Sequence, residues 1–366
     1  MQVLYLNLLA LCVNLQCIQL EKEEFACMSL QNNMNVSAVN QTDDCLEFSC
    51  PERSVSFPVY VFIYVAAAAV VLLTVCGNLL VIISVSHFKQ LHTPANILIL
   101  SLAVSDFLIG VFVMPFHLIW LIESCWISGP IFCSIFNFVT FQVTCVSVHT
   151  VGLIAVDRFF ALSYPFVYSE KISPTVIYIA TLFNWMFSLI YNFTILFING
   201  NFTDFMCPGE CLYIIDEVSS LIDLLVVFLI PCTLIIILYT HVFFIAKKHA
   251  TAIRAVKVYN TESSKNRFSD SMKSERKAAL VLGILVFVFL LCLLPYYIFS
   301  LNNYLRDDTF YSVINNVLIL FYLNSSINPL IYALFYPWFK KSFKLIVSFK
   351  IFYPDSSLIN VLSVRS

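Results

Sequence analysis

Residues 94–122 read PANILILSLAVSDFLIGVFVMPFHLIWLI. A helix crosses the hydrocarbon core of a bilayer with about 20 residues. This stretch exceeds that length and carries one acid, Asp106. Six more stretches share its character: Pro58–Val85, Ile131–Phe160, Pro174–Ile198, Leu212–Ile245, Ala278–Ser300 and Phe310–Phe335. All are too long for barrel strands, which need about 10 residues of alternating polarity. Hydrocarbon forces the backbone to satisfy its own hydrogen bonds, so the stretches are predicted to be helices. The whole chain agrees. Its 366 residues are 60% hydrophobic and 11% charged, against about 25% charged in a soluble domain. Thirty-five phenylalanines exceed what one soluble core hides. Such hydrophobicity excludes a disordered chain, 7 glycines exclude collagen, and a net charge of −2 argues against nucleic acid. The expected fold class is all-α membrane: a seven-transmembrane-helix bundle over 58–335, an N-terminal arm over 1–57, and a tail over 336–366.

Charge asymmetry orients the bundle. With the N-terminus outside, 17 of 20 Lys and Arg lie inside, leaving Lys22, Arg53 and Arg306 outside. The positive-inside rule then gives N-terminus out and C-terminus in, for a multi-pass protein of the cell membrane. Fourteen of 22 acids fall on the outer side. A negative outer face concentrates cations, although loop acids also serve solubility alone. Residues 1–20 are apolar but lack a basic leading region, so they read as either a cleaved signal or a stub before the real start. Asn35, Asn40 and Asn201 head outer glycosylation sequons, while the matches at Asn192 and Asn324 lie in spans and are expected to be silent. The segment Ala246–Glu275 is polar and basic and reads as a mobile inner loop.

Thirteen cysteines are present. Cys76, Cys145, Cys232 and Cys292 sit inside spans as small apolar side chains. Cys133, Cys207 and Cys211 face an oxidising side, where disulfides are expected. Cys133–Cys211 would pin a loop over the bundle mouth, and Cys50 or Cys45 would reach Cys207; spacing alone does not decide the connectivity.

Two acids lie well inside spans, Asp106 and Asp223. Charges there are expensive and mark function. Asn78, Ser147, Asn324 and Asn328 lie at a depth similar to Asp106. Together they read as a hydrated packing network or as a site for a cation such as Na⁺. Asp223 precedes Pro231 by eight residues and is followed by the wholly apolar Leu224–Ile230. A carboxylate alone there is poorly solvated, and a bound ammonium would reverse that. At about 4 Å and an effective dielectric of about 20, the attraction is about 4 kcal/mol. The plain alternative is Asp223 hydrogen-bonded to Ser219 or to another helix. Asp216, seven residues earlier on the same helical face, is a rim residue or a partner for a second cationic group. Phe141, Tyr296, Tyr297 and Tyr322 would line the pocket, since aromatic faces attract organic cations.

These motifs resemble the rhodopsin-like G-protein-coupled receptors. The resemblance rests on Gly77-Asn78, Leu102-Ala103-Val104-Ser105-Asp106, Asp157-Arg158-Phe159, Trp185, Pro231 with Tyr239, Pro295, and Asn328-Pro329-Leu330-Ile331-Tyr332. Trp126, Cys133 and Cys211 match that family's first outer loop and outer disulfide. Within it, the segment Asn324–Phe339 is similar to the fingerprint of trace amine-associated receptors, mostly olfactory amine sensors, and Cys50 with Cys207 resembles an extra disulfide of that group. The resemblance implies a small amine ligand and a heterotrimeric G protein, with a stimulatory protein and cyclic AMP as the expected output. It makes Asp157, Arg158, Tyr239, Glu275, Asn328, Pro329 and Tyr332 the activation switch, and Trp338–Phe349 an amphipathic eighth helix on anionic inner-leaflet lipids. No cysteine follows Cys292, where the family commonly carries a palmitoyl anchor.

Two positions depart from the family. Thr140 stands 18 residues before Arg158, where amine receptors usually place the acid that pairs with the ammonium. Asp223 instead matches the site of the amine-binding acid in a teleost branch, so the ligand would lie against Asp223, Thr140, Phe141, Thr144 and the tyrosines. Leu293 replaces the tryptophan of the usual CWxP motif. A neurotransmitter-type amine receptor or an odour receptor for other ligands is the alternative. A transporter or channel is remote, because interior acids are few and no repeat is visible. No enzyme motif occupies a span, and His149 and His241 read as isolated.

Overall fold

A computed structural model describes residues 56–198, 211, 217–259, 266–301 and 308–362. Seven of the described helices are long and apolar enough to cross a membrane: Phe57–His87, Pro94–Glu123, Gly129–Ser163, Pro174–Leu196, Val218–Lys248, Arg276–Ile298 and Val317–Phe335, here spans one to seven. Prolines open several of them, where a missing N–H costs nothing. Span two starts at Pro94 after Thr93, whose hydroxyl accepts from the Asn96 amide at 3.4 Å. Span two ends at Ser124, in left-handed conformation at φ 50°, and Trp126 then donates its indole N–H to the Gly129 carbonyl at 2.9 Å.

Span three is the hub, touching spans two, four, five and six, while span one closes on spans two and seven. Ties between two, three and four are polar. Trp185 Nε1 donates to Ser101 Oγ (3.1 Å), and Asn184 donates to the Val146 carbonyl (3.2 Å) and Thr150 Oγ1 (3.1 Å). Spans one, four and five turn Phe62, Leu72, Ile179, Phe183, Ile190, Ile236 and Phe243 outward, as a helix facing lipid does. Spans two and five each contain a π turn, Ile109–Val113 and Leu224–Leu229.

Two expectations need correction. Ala246–Glu275 is not simply a loop: helix continues to Tyr259 from span five and begins at Asn266 before span six. Its Ala, Arg, Lys and Glu are good helix formers. The amphipathic helix runs Pro337–Val347, shorter than Trp338–Phe349, and buries Trp338, Phe339 and Ser342. Phe349 adopts φ 56°, which ends the helix and turns the chain back. Ser356 then lies 3.0 Å from His87 Nε2, and Val361 is buried.

Gly77 sets the approach of span one to span seven. A methyl group there would lie 2.6 Å from Pro329 Cβ and 2.8 Å from its Cγ, and the pyrrolidine ring cannot swing away. Gly77→Ala should cost about 1–3 kcal/mol, the usual range for overpacking, and is checked as a lower thermal midpoint of the solubilised protein.

Candidate functional site

Asp223 is the last residue of an α segment, Glu217–Asp223, that leads into the π turn of span five. It is half-buried. One hydroxyl, that of Tyr191 on span four, donates to its Oδ1 at 3.2 Å. Tyr296, Tyr297 and Cys145 lie within its electrostatic reach. Tyr297 stacks flat on Phe228, with ring centroids 4.1 Å apart and planes at 12°. Tyr296 stands edge-on to Tyr297 at 5.1 Å and tilts against Phe321 at 6.5 Å. Phe321 meets Tyr322 at 5.5 Å, and Tyr322 meets His117 at 4.9 Å. A line of rings therefore crosses the bundle from span five through six and seven to span two.

The fold thus gathers Asp223, Tyr296 and Tyr297, with Tyr322 joined through Phe321. Thr140, Phe141 and Thr144 are half-buried on span three. Thr140 donates its proton to its own helix, at the Phe136 carbonyl (2.7 Å), which leaves the oxygen as an acceptor. Asp216, Asn35, Asn40, Asn201, Cys45, Cys50 and Cys207 lie outside the described residues, as does the side chain of Glu275.

Cys133 and Cys211 form a disulfide, with Cα atoms 5.6 Å apart. Cys125 is disulfide-bonded as well, a role its sequence surroundings did not single out. Sequence reasoning also passed over Tyr191 and Phe228. His149 is not isolated: its Nε2 lies 3.2 Å from the Val226 carbonyl and its Nδ1 3.5 Å from Cys145 Sγ. Asn192, read only as a silent sequon, is buried and donates to Gln142 Oε1 at 3.1 Å. Polar residues in span four were the available signal, since each one in hydrocarbon needs an internal partner.

Deeper in the bundle, Ser325 and Asn328 donate to the two oxygens of Asp106, each at 2.7 Å. Asn78 donates to the Thr74 and Ser325 carbonyls at 2.9 and 3.0 Å. Ser147 bonds Ser105 at 2.9 Å rather than Asp106. The amide oxygens of Asn78, Asn324 and Asn328 are buried without a donor among the described residues. Oxygen donors around a carboxylate suit a hard cation. No group of three His, Cys, Asp or Glu side chains suits a metal among the described residues.

At the far end of span three, Arg158 donates to Asp157 through Nε (2.9 Å) and Nη2 (2.5 Å). Tyr168 donates to the other Asp157 oxygen at 2.7 Å, which completes a buried, charge-assisted cluster. Tyr239 lies within electrostatic reach of this pair. The hydroxyls of Tyr239 and Tyr332 are buried with no hydrogen-bond partner among the described residues.

Residues 77–332 match the family model of 7 transmembrane receptors (rhodopsin family). The chain is 38% identical to trace amine-associated receptor 13c of Danio rerio over 310 residues, 82% of this chain and 90% of that one. It is 36% identical to trace amine-associated receptor 1 of Macaca mulatta over 323 residues, 85% of this chain and 95% of that one. Against trace amine-associated receptor 1 of Homo sapiens the identity is 35% over 323 residues, again 85% and 95%.

The Cys133–Cys211 bridge joins residues 78 apart in sequence. Cys133→Ser should cost about 2–5 kcal/mol, seen as a lower thermal midpoint. Reductant should bring the unaltered protein to or below the same value.

Proposed function

The chain belongs to the rhodopsin family of seven-transmembrane receptors and, within it, to the trace amine-associated receptors, and on that premise we propose that it senses small amines through Asp223, as an olfactory receptor coupled to a stimulatory G protein. It is a multi-pass protein of the cell membrane and not an enzyme. The observation that carries the proposal is the state of Asp223. An ionised carboxylate offers about four acceptor positions, and among the described residues a single neutral hydroxyl fills one of them. A half-buried acid so poorly answered, with tyrosine rings at hand, suits an ammonium that brings its own N–H donors and charge.

The proposed orientation puts the disulfide end outside, in line with the distribution of Lys and Arg. The ammonium pairs with Asp223, and the carbon skeleton lies on Tyr296 and Tyr297, with Thr140 Oγ1 as a further acceptor. Phe141, Thr144 and Tyr322 complete the pocket, and Asp216 takes a second ammonium in a diamine. Cys50–Cys207 and sugars on Asn35, Asn40 and Asn201 dress the outer face. An amine that binds one arrangement of spans five and six more tightly shifts the population toward it. Leu293 is fully buried where relatives usually place an indole, so the movement passes through the Tyr296–Tyr297–Phe228 stack rather than through a turning tryptophan.

At the inner end the charge cluster of Asp157, Arg158 and Tyr168 is the resting lock, with Glu275 as a further partner for Arg158. Its opening frees the guanidinium for the G protein. Tyr239 and Tyr332, whose hydroxyls lack partners among the described residues, gain them in the active arrangement, with Asn328 and Pro329 at the hinge. Asp106 and the three asparagine oxygens, near Ser147, form a donor set that Na⁺ fits. The helix Pro337–Val347 lies on anionic lipid.

In cells carrying a cyclic AMP reporter, a panel of aliphatic and aromatic amines should contain an agonist. Asp223→Asn should lower its potency on the order of 100-fold, the value of a lost charge-assisted bond, with surface expression kept; an unchanged response would falsify the assignment. Tyr168→Phe removes one of the bonds on Asp157 and should raise ligand-independent cyclic AMP. Basal signal equal to that of the unaltered receptor would exclude Tyr168 from the lock.

A further inference from the structure

Span five departs from plain α-helix immediately after Asp223. The π turn Leu224–Leu229 separates the segment ending at Asp223 from the helix beginning at Ile230. Such a turn adds one residue to the helical path, which rotates everything before it by about 100° relative to everything after it. It also breaks the i+4 ladder, and carbonyls freed in hydrocarbon must find other donors. Val226, inside the turn, finds one: its carbonyl lies 3.2 Å from His149 Nε2 on span three. A carbonyl only accepts, so Nε2 carries the proton. Nδ1 then faces the Cys145 thiol, 3.5 Å away, as an acceptor.

The contacts run on from His149. Its ring stands edge-on to Phe187, with centroids 5.7 Å apart and planes at 61°. Phe187 stacks on Tyr191 at 6.0 Å and 14°. Tyr191 donates to Asp223. The path therefore leaves span five at Val226, crosses spans three and four, and returns to span five at Asp223, three residues away. It fixes both the backbone that carries the carboxylate and the carboxylate itself.

We propose that His149 is the positioning residue of the amine anchor: by donating to the Val226 carbonyl it holds the π turn that directs Asp223 at Tyr191, Tyr296 and Tyr297, and Phe187 and Tyr191 close the loop. Without that donor the carbonyl is stranded. Relaxation to α-helix restores its partner and swings Asp223 away from the rings. The consequence for signalling rests on Asp223 being the anchor; the geometric claim does not.

The test reads the two separately. Asp223→Cys is placed in the full-length chain, and membranes from expressing cells are treated with 2-aminoethyl methanethiosulfonate, with the parent chain as background. Reading total membranes removes any dependence on delivery to the cell surface. His149→Phe keeps a ring against Phe187 but removes the donor, and should slow modification of the introduced thiol about tenfold, the weight of one ordinary hydrogen bond. His149→Gln, whose amide can donate to the same carbonyl, should react like the parent. With Asp223 intact, His149→Phe should raise the EC50 of an amine agonist by about the same factor, and His149→Gln should largely restore it. Thiol reactivity that ignores position 149 would overturn the inference. Reactivity that follows position 149 while Asp223→Asn still signals would instead sink the amine anchor and leave the positioning role standing.

Discussion

Hydrocarbon supplies no hydrogen-bond partners, so every polar group carried into it has to be answered by another part of the chain. Three buried or half-buried carboxylates show how unevenly this is done. Asp106 receives a hydroxyl and an amide. Asp157 receives a guanidinium and a phenol. Among the described residues, Asp223 receives one phenol. The first two tie elements together, Asp106 joining span two to span seven and Asp157 joining span three to Tyr168. The third is open, and it is the one surrounded by rings. On the proposed reading that difference suits Asp223 to an organic ammonium, whereas Asp106 with its asparagine oxygens suits a small inorganic cation.

Span three connects these places. It carries Cys133 at one end, Thr140, Cys145 and His149 along its length, and Asp157 with Arg158 at the other. It touches four other spans, so one continuous packed element runs from the neighbourhood of Asp223 to the inner end. The ring stack of Phe228, Tyr297 and Tyr296 sits between the two regions, next to buried Leu293. A leucine fills that space without the directional hydrogen bond of an indole. On the proposed reading, packing of spans five and six takes the part that a rotating indole would otherwise play.

Departures from regular helix cluster where function is proposed. The π turn of span five lies directly beside Asp223. The close approach of spans one and seven depends on Gly77 against Pro329, beside the asparagine oxygens of the Asp106 cluster that have no donor among the described residues.

Seven spans and the acids at 106 and 223 were legible from the residues alone, because length, hydropathy and charge are properties of a segment and survive without knowledge of its neighbours. The asparagine and serine cluster was half legible: Asn78, Asn324 and Asn328 were named, whereas Ser325, which reaches Asp106 directly, was not. Tyr191, Phe228 and His149 were illegible, since one tyrosine, phenylalanine or histidine among many apolar residues carries no mark of which helix it will meet. Which side chain answers Asp223 depends on the rotation of span five about its own axis. One extra residue in a π turn sets that rotation, and only the packing of spans three, four and five decides where the turn falls.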